Sequence, residues 1–211
     1  MSILTFTPDN YHSLCDGLAK ADPDLALIIN QYGYPPYWSR PSTFESLVHI
    51  ILEQQVSLAS ALSALHKLKE KIQQVTPSRV LLLTDEEFKA CYFSRQKTAY
   101  VKYLAETLTS KKLDLDELTH LSDAEVRSKL TALKGIGNWT VDIYLLMILH
   151  RTDIFPVGDL AVINAVKKLK GLPAPTTKEE ILTIAEAWQP YRSIAAMLFW
   201  HYYLSKPRLK A

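Results

Sequence analysis

The sequence predicts an all-α protein. Helix-start signals recur along its 211 residues, and apolar side chains return every third or fourth position between them. No run alternates apolar and polar residues as a half-buried strand does.

Helices are expected near residues 8–20, 23–31, 42–55, 57–74, 78–83, 85–91, 95–110, 123–132, 138–150, 160–170, 177–188 and 190–205. The first two rest on helical spacing of apolar residues. The third opens on Ser42-x-x-Glu45, which fits a capping box: the hydroxyl accepts an N–H three residues on, and the glutamate reaches back. Behind it Phe44, Leu47, Val48, Ile51 and Leu52 form one apolar stripe. Ser57 is placed to cap the fourth helix and Ser94 the helix over 95–110. Thr84-x-x-Glu87, Ser122-x-x-Glu125 and Thr177-x-x-Glu180 repeat the box. Asp159 stands at the N-cap of the helix over 160–170. Pro190 suits a first helical turn, where its missing N–H would have no partner.

Two stretches interrupt this pattern. Residues 32–41 (YGYPPYWSRP) carry Pro35, Pro36 and Pro41, which exclude a continuous helix. Residues 151–158 (RTDIFPVG) link two helices and end in Gly158. Both suit crossings between lobes, giving one lobe from 1–40 with 151–211 and a central lobe over 41–150.

Hydrophobic residues make up 48% of the chain and charged residues 22%, the balance of a globular protein rather than a disordered one. No apolar run approaches the roughly 18 residues of a membrane span. The start, MSILTFTPDNYH, lacks the basic and apolar regions of a signal peptide. The expected setting is therefore intracellular: cytoplasm or nucleoid in a bacterium, nucleus in a eukaryote. Cys15 and Cys91 are expected as reduced thiols, too few for an iron–sulfur cluster, which takes about four. The histidines form neither HExxH nor a zinc-like pair, so neither a catalytic metal nor a cofactor is expected. A net charge of +2 permits a nucleic-acid partner without demanding one.

The stretch LKGIGNWTVDIYLL (133–146) places Gly135 and Gly137 directly before a helix, in a chain with only six glycines. Glycine takes positive φ without steric penalty, so Lys134-Gly135-Ile136-Gly137 allows a tight reversal. The reversal leaves first-turn amides at the positive end of the helix dipole, which suits a phosphate. Ile136 at the apex would tuck between the flanking helices. A plain helical turn fits the Gly-x-Gly pattern equally well.

The neighbouring residues shift that balance. Leu133-Lys134-Gly135-Ile136-Gly137-Asn138-Trp139-Thr140 resembles the hairpin of the helix-hairpin-helix superfamily of DNA glycosylases. FESLVHIILEQQVSLASA (44–61) resembles that family's early helix–turn–helix, RTDIFPVGDLAVINAVKKL (151–169) its stretch with the essential aspartate, and AWQPYRSIAAMLFWHYY (187–203) its last helix. These cover most of residues 40–205 in the expected order. Within the superfamily the chain is most similar to the 3-methyladenine DNA glycosylase II group, in a compact form without that group's N-terminal β domain. The resemblance implies two helical lobes with an active-site cleft between them, the hairpin (133–139) lying in the central lobe. It also implies a monomer acting on double-stranded DNA with damaged bases, without a membrane partner.

On that resemblance Asp159, 20 residues after Trp139, is the catalytic carboxylate. An ionised carboxylate stabilises the oxocarbenium character that C1′ acquires as a base departs, and it orients the attacking water. Capping and catalysis are compatible roles for it. Members that also nick the strand carry a lysine where Trp139 stands; lacking that amine, this chain is expected to be monofunctional. Trp139 and Trp200 are implied as walls of the base pocket, where aromatic faces attract a cationic alkylated purine; core filling is the other reading of each. Ile143 and Leu160 replace tyrosines common in the larger bacterial enzymes.

DNA contacts are implied for Lys134, Gly135, Ile136, Gly137 and Thr140 in the hairpin, and for Gln54, Gln55 and Ser57 in the early turn. Gln55 is the residue placed in the hole left by a flipped base; a solvated polar turn is its other reading. Arg95 and Lys97 read either as phosphate contacts or as surface charges. The resemblance also implies a structural Na or K ion on the carbonyls of Thr131, Leu133 and Ile136. Excision of alkylated purines is the leading activity. Excision of ethenoadenine or deaminated bases, and a non-catalytic DNA-holding module, are the alternatives.

Overall fold

The computed structural model describes residues 4–205. Its described residues are helical, with one isolated antiparallel bridge between Thr5 and Arg151. The chain divides into two compact units, residues 1–39 with 145–211 and residues 40–144. The second division falls after Tyr144, inside a helix, rather than in the 151–158 connection. Residues 140–146 of that helix are all buried, on both sides of the division.

The first unit begins with α1 (Pro8–Ala21) and α2 (Pro23–Tyr32), each started by a proline in its first turn. It resumes with α11 (Leu160–Leu169), α12 (Lys178–Ala185), a 3-10 turn (Glu186–Trp188) and α13 (Arg192–Ser205). Helix α13 is its centre. Every residue from Ser193 to Trp200 is buried, and the helix packs against α11, α2 and α1. Burial of each large apolar side chain contributes about 1.5–3 kcal/mol, so this helix fixes where α11, and Asp159 ahead of it, can sit.

The second unit runs through α3 (Phe44–Glu53), α4 (Leu58–Ile72), α5 (Pro77–Leu81), α6 (Asp85–Ala90), α7 (Arg95–Thr109), α8 (Leu115–Leu118) and α9 (Asp123–Thr131). It then enters α10 (Asn138–Met147), which continues into the first unit. The α3 stripe is buried and packs on α4 and α7, while α7 also packs on α5 and α6.

The capping boxes at Thr84, Ser122 and Thr177 form as the sequence predicts. Four expectations are corrected. The cap of α3 is Thr43, whose hydroxyl accepts from the Ser46 N–H, because the Ser42 hydroxyl is engaged with the Tyr144 hydroxyl at 3.1 Å. Pro190 precedes α13 instead of starting it; the Tyr191 N–H turns back to the Trp188 carbonyl and the helix begins at Arg192. Helix α10 ends at Met147, where left-handed His150 (φ 51°) lets the Arg151 N–H return to the Leu145 carbonyl. The short α8, capped by Asp114, has no counterpart among the predicted helices. Cys15 and Cys91 are free thiols and buried, and burial pushes Cys15 up to about 12. No helix among the described residues is long and apolar enough to cross a membrane.

Candidate functional site

The hairpin between α9 and α10 is built mainly from backbone. Ile136 N–H donates to the Leu133 carbonyl at 3.1 Å, and Val141 N–H to the Gly137 carbonyl at 3.1 Å, which makes Gly137 the N-cap of α10. Ile136 is buried, as its apex position implies. The two glycines do different work. Gly135 has φ +88°, and a Cβ there would fall onto the Tyr100 ring, so both conformation and space demand glycine. Gly137 has no left-handed φ, and a Cβ on it would meet nothing within 4 Å. Nothing inside the protein requires glycine at 137; close approach of an outside group would.

Several residues that read as DNA contacts serve the hairpin from within. Gln54 Nε2 donates to the Gly135 carbonyl at 2.9 Å and to Thr140 Oγ1 at 3.0 Å, tying the α3–α4 turn to the hairpin. Thr140 is only 1% exposed, so its side chain is internal. Lys97 is half-buried and gives its ammonium to the Leu52 carbonyl at 2.6 Å, closing the end of α3. Burial lowers its pKa from the usual lysine range. Ser57 caps α4 through the Ser60 N–H. Lys134 and Arg95 are both exposed. Gln55 is exposed and left-handed, φ 58°, a conformation rare for residues other than glycine.

Sequence reading missed a clamp on this hairpin. Arg127 on α9 donates to the Asp142 carboxylate and, at 3.2 Å, to the Asn138 side chain, both on α10. Asn138 and Asp142 are one turn apart on the same helix face, the spacing that could have revealed it. Burial raises the Asp142 carboxyl above the usual range, against the opposing pull of Arg127.

In the other unit, Asp159 caps α11. Its Oδ1 accepts the Ala161 N–H at 3.0 Å, the Val162 N–H at 3.1 Å and the Trp200 indole N–H at 3.0 Å. Three donors on one oxygen fix the orientation of a partly exposed carboxylate. Trp200, 7% exposed, holds the carboxylate through its ring edge. Leu160, next to Asp159 in the chain, is 76% exposed, whereas Ile143 is buried. Arg192 ties α13 to the 151–158 connection, gripping Asp153 at 2.7 and 2.9 Å. Trp139 lies in the first turn of α10. The carbonyls of Thr131 and Leu133 lie at the negative end of α9, where helix carbonyls lack intrahelical donors. The Leu133 carbonyl accepts the Ile136 N–H.

Comparison with known proteins agrees with this layout. Residues 48–190 match the family model described as HhH-GPD superfamily base excision DNA repair protein. "DNA-3-methyladenine glycosylase 1" of Schizosaccharomyces pombe is 30% identical, over 87% of this chain and 82% of its own. "DNA-3-methyladenine glycosylase" of Bacillus subtilis is 28% identical, over 87% of this chain and 64% of its own. Among solved structures, the S. pombe 3-methyladenine DNA glycosylase in complex with abasic DNA superimposes with a TM-score of 0.82 at 30% identity, covering 89% of this chain and 95% of that one. The Bacillus halodurans DNA-3-methyladenine glycosidase gives 0.74 at 27%, covering 97% and 94%. The chain belongs to the HhH-GPD superfamily of base excision DNA repair proteins.

Proposed function

We propose that this chain is a monofunctional DNA glycosylase that flips alkylated purines of the 3-methyladenine and 7-methylguanine type out of duplex DNA and hydrolyses their N-glycosidic bond. The observation that carries the proposal is Asp159, a carboxylate held by three N–H donors at the start of α11. The names of the relatives support the choice of substrate.

The hairpin grips the DNA backbone: Gly137 brings no side chain between a phosphate and the first-turn amides of α10. Gln55, preset in a left-handed turn, enters the stack where the damaged base leaves, offsetting part of the few kcal/mol that flipping costs. Trp139 offers an aromatic face to a cationic base, worth roughly 0.5–2 kcal/mol. An alkylated purine carries its positive charge into the glycosidic bond, so the bonding electrons leave with it and it departs neutral. Positive charge grows on C1′ and ring oxygen, and the fixed carboxylate stabilises it. Water then adds to C1′ and loses its proton toward Asp159, leaving an abasic sugar in an intact strand. A Na or K ion on the carbonyls of Thr131, Leu133 and Ile136 would add fixed positive charge beside the phosphate. The chain acts as a monomer in this reading.

The test is to incubate the protein with methylated duplex DNA and identify the released bases. Wild type should release alkylpurines without forming a borohydride-trapped adduct, and Asp159→Asn should release them at least about a hundredfold more slowly. Release of deaminated or etheno bases in preference would shift the substrate class. DNA binding with no release would instead favour a module that only holds DNA.

A further inference from the structure

Segment 32–41 breaks the helical pattern with its prolines, yet it is firmly held. Pro35 is buried, and the Trp38 N–H donates to the Pro36 carbonyl at 2.9 Å. Tyr37 stacks on His150, with ring centroids 5.4 Å apart and planes at 22°. These contacts set half-buried Trp38 against Trp200, with centroids 6.4 Å apart and planes at 87°, the edge-to-face arrangement that aromatic rings favour. Trp200 passes its indole N–H to Asp159 Oδ1.

We infer that Trp38 is a positioning residue for the Asp159 carboxylate, acting through Trp200. The inference rests on the role proposed above for Asp159. An indole N–H holds a carboxylate only as firmly as the indole is held. Backbone amides of α11 fix one oxygen from below, but they lie on Asp159's own helix and still allow the side chain to pivot about them. The Trp200 bond comes from α13 and opposes that pivot. Trp38 packs on the Trp200 ring, so that without it the indole can swing and the carboxylate with it. The proline-rich segment thus serves as a rigid brace for Trp38, which explains why a helix would not do there.

The test pairs chemistry with a direct view of the bond. Under single-turnover conditions at saturating enzyme, Trp38→Ala should slow release of 7-methylguanine about 10- to 100-fold, with affinity for abasic-site DNA changed by no more than about threefold. Trp38→Phe, which keeps an aromatic edge, should restore most of the rate. In proton–nitrogen NMR spectra the Trp200 indole signal, identified by its loss in Trp200→Phe, should exchange slowly with solvent in wild type and faster in Trp38→Ala. If Trp38→Ala fails to fold, Trp38→Leu supplies apolar bulk without the ring for the same measurements. Unchanged exchange of the Trp200 N–H in folded Trp38→Ala or Trp38→Leu overturns the inference. So does a loss of DNA affinity equal to the loss of rate. A wild type that releases no base sinks the glycosylase reading instead, and the NMR result still decides the role of Trp38.

Discussion

Helices α10 and α11 are both ten residues long and both begin at a candidate site, yet their first turns are built in opposite ways. Helix α11 starts with Asp159, whose carboxylate occupies the amides of its own first turn. The positive end of that dipole is used internally, and the result is an anchored negative charge. Helix α10 starts with Gly137, which brings no acceptor and has open space beside it. There the positive end is suited to an anion from outside. In the reading proposed above, one backbone feature serves two tasks, and the cap residue decides which.

The largest effect on this contrast should come from the residue that shapes the α10 entry. Gly135→Ala forces an L-residue into φ +88° and drives its Cβ into the Tyr100 ring. It should lower stability by about 2–4 kcal/mol in urea unfolding, with the Gln54 tie to the Gly135 carbonyl disturbed as well. A variant as stable as wild type would mean that the hairpin has another conformation within easy reach.

Next in size is Arg127→Met, which strands the buried Asp142 carboxylate. Arg127 is itself 36% exposed on its side chain, so solvent screens part of the pair and the loss should be about 1–2 kcal/mol near neutral pH. The loss should depend on pH. Burial raises the Asp142 pKa in the folded chain, so the folded state holds that proton more tightly than the unfolded one. Stability contributed by Asp142 therefore falls as pH rises through the carboxylate range. Removing Arg127 raises the folded value further, so the deficit should be smallest in acid and largest near neutrality. Equal deficits at both would show that Arg127 acts through packing alone.

The smallest stability effect belongs to Gly137→Ala, about 0.5 kcal/mol by thermal or urea unfolding, since neither φ nor space forbids a methyl group. A loss as large as that of Gly135→Ala would erase the distinction between the two glycines.

Much of this architecture is legible in the sequence. The boxes at Thr84, Ser122 and Thr177, the cap at Asp159 and the glycine reversal are local, each contained within a few residues. What escapes a sequence reading depends on partners far along the chain. Ser42 and Thr43 are adjacent hydroxyls, and only Tyr144 decides that Thr43 is the cap. Gln54, Thr140 and Lys97 have side chains suited to DNA, but their geometry spends them on holding the hairpin and the end of α3. Trp200 reads as an aromatic wall because its type is visible and its N–H acceptor is not. Trp38 sits in a segment whose prolines announce only that it is not a helix.

The α10 entry binds and the Asp159 entry reacts, in the reading proposed here. The decisive experiment is single-turnover titration of methylated duplex DNA with Gly137→Ala and Asp159→Asn, reading half-saturation and limiting rate separately. For Gly137→Ala, half-saturation should rise about tenfold with a near-normal limiting rate. For Asp159→Asn the pattern should reverse, with a limiting rate at least about a hundredfold lower at near-normal half-saturation. If both variants lose binding and rate together, or if Asp159→Asn reacts at the wild-type rate, the division of labour between the two helix entries is wrong.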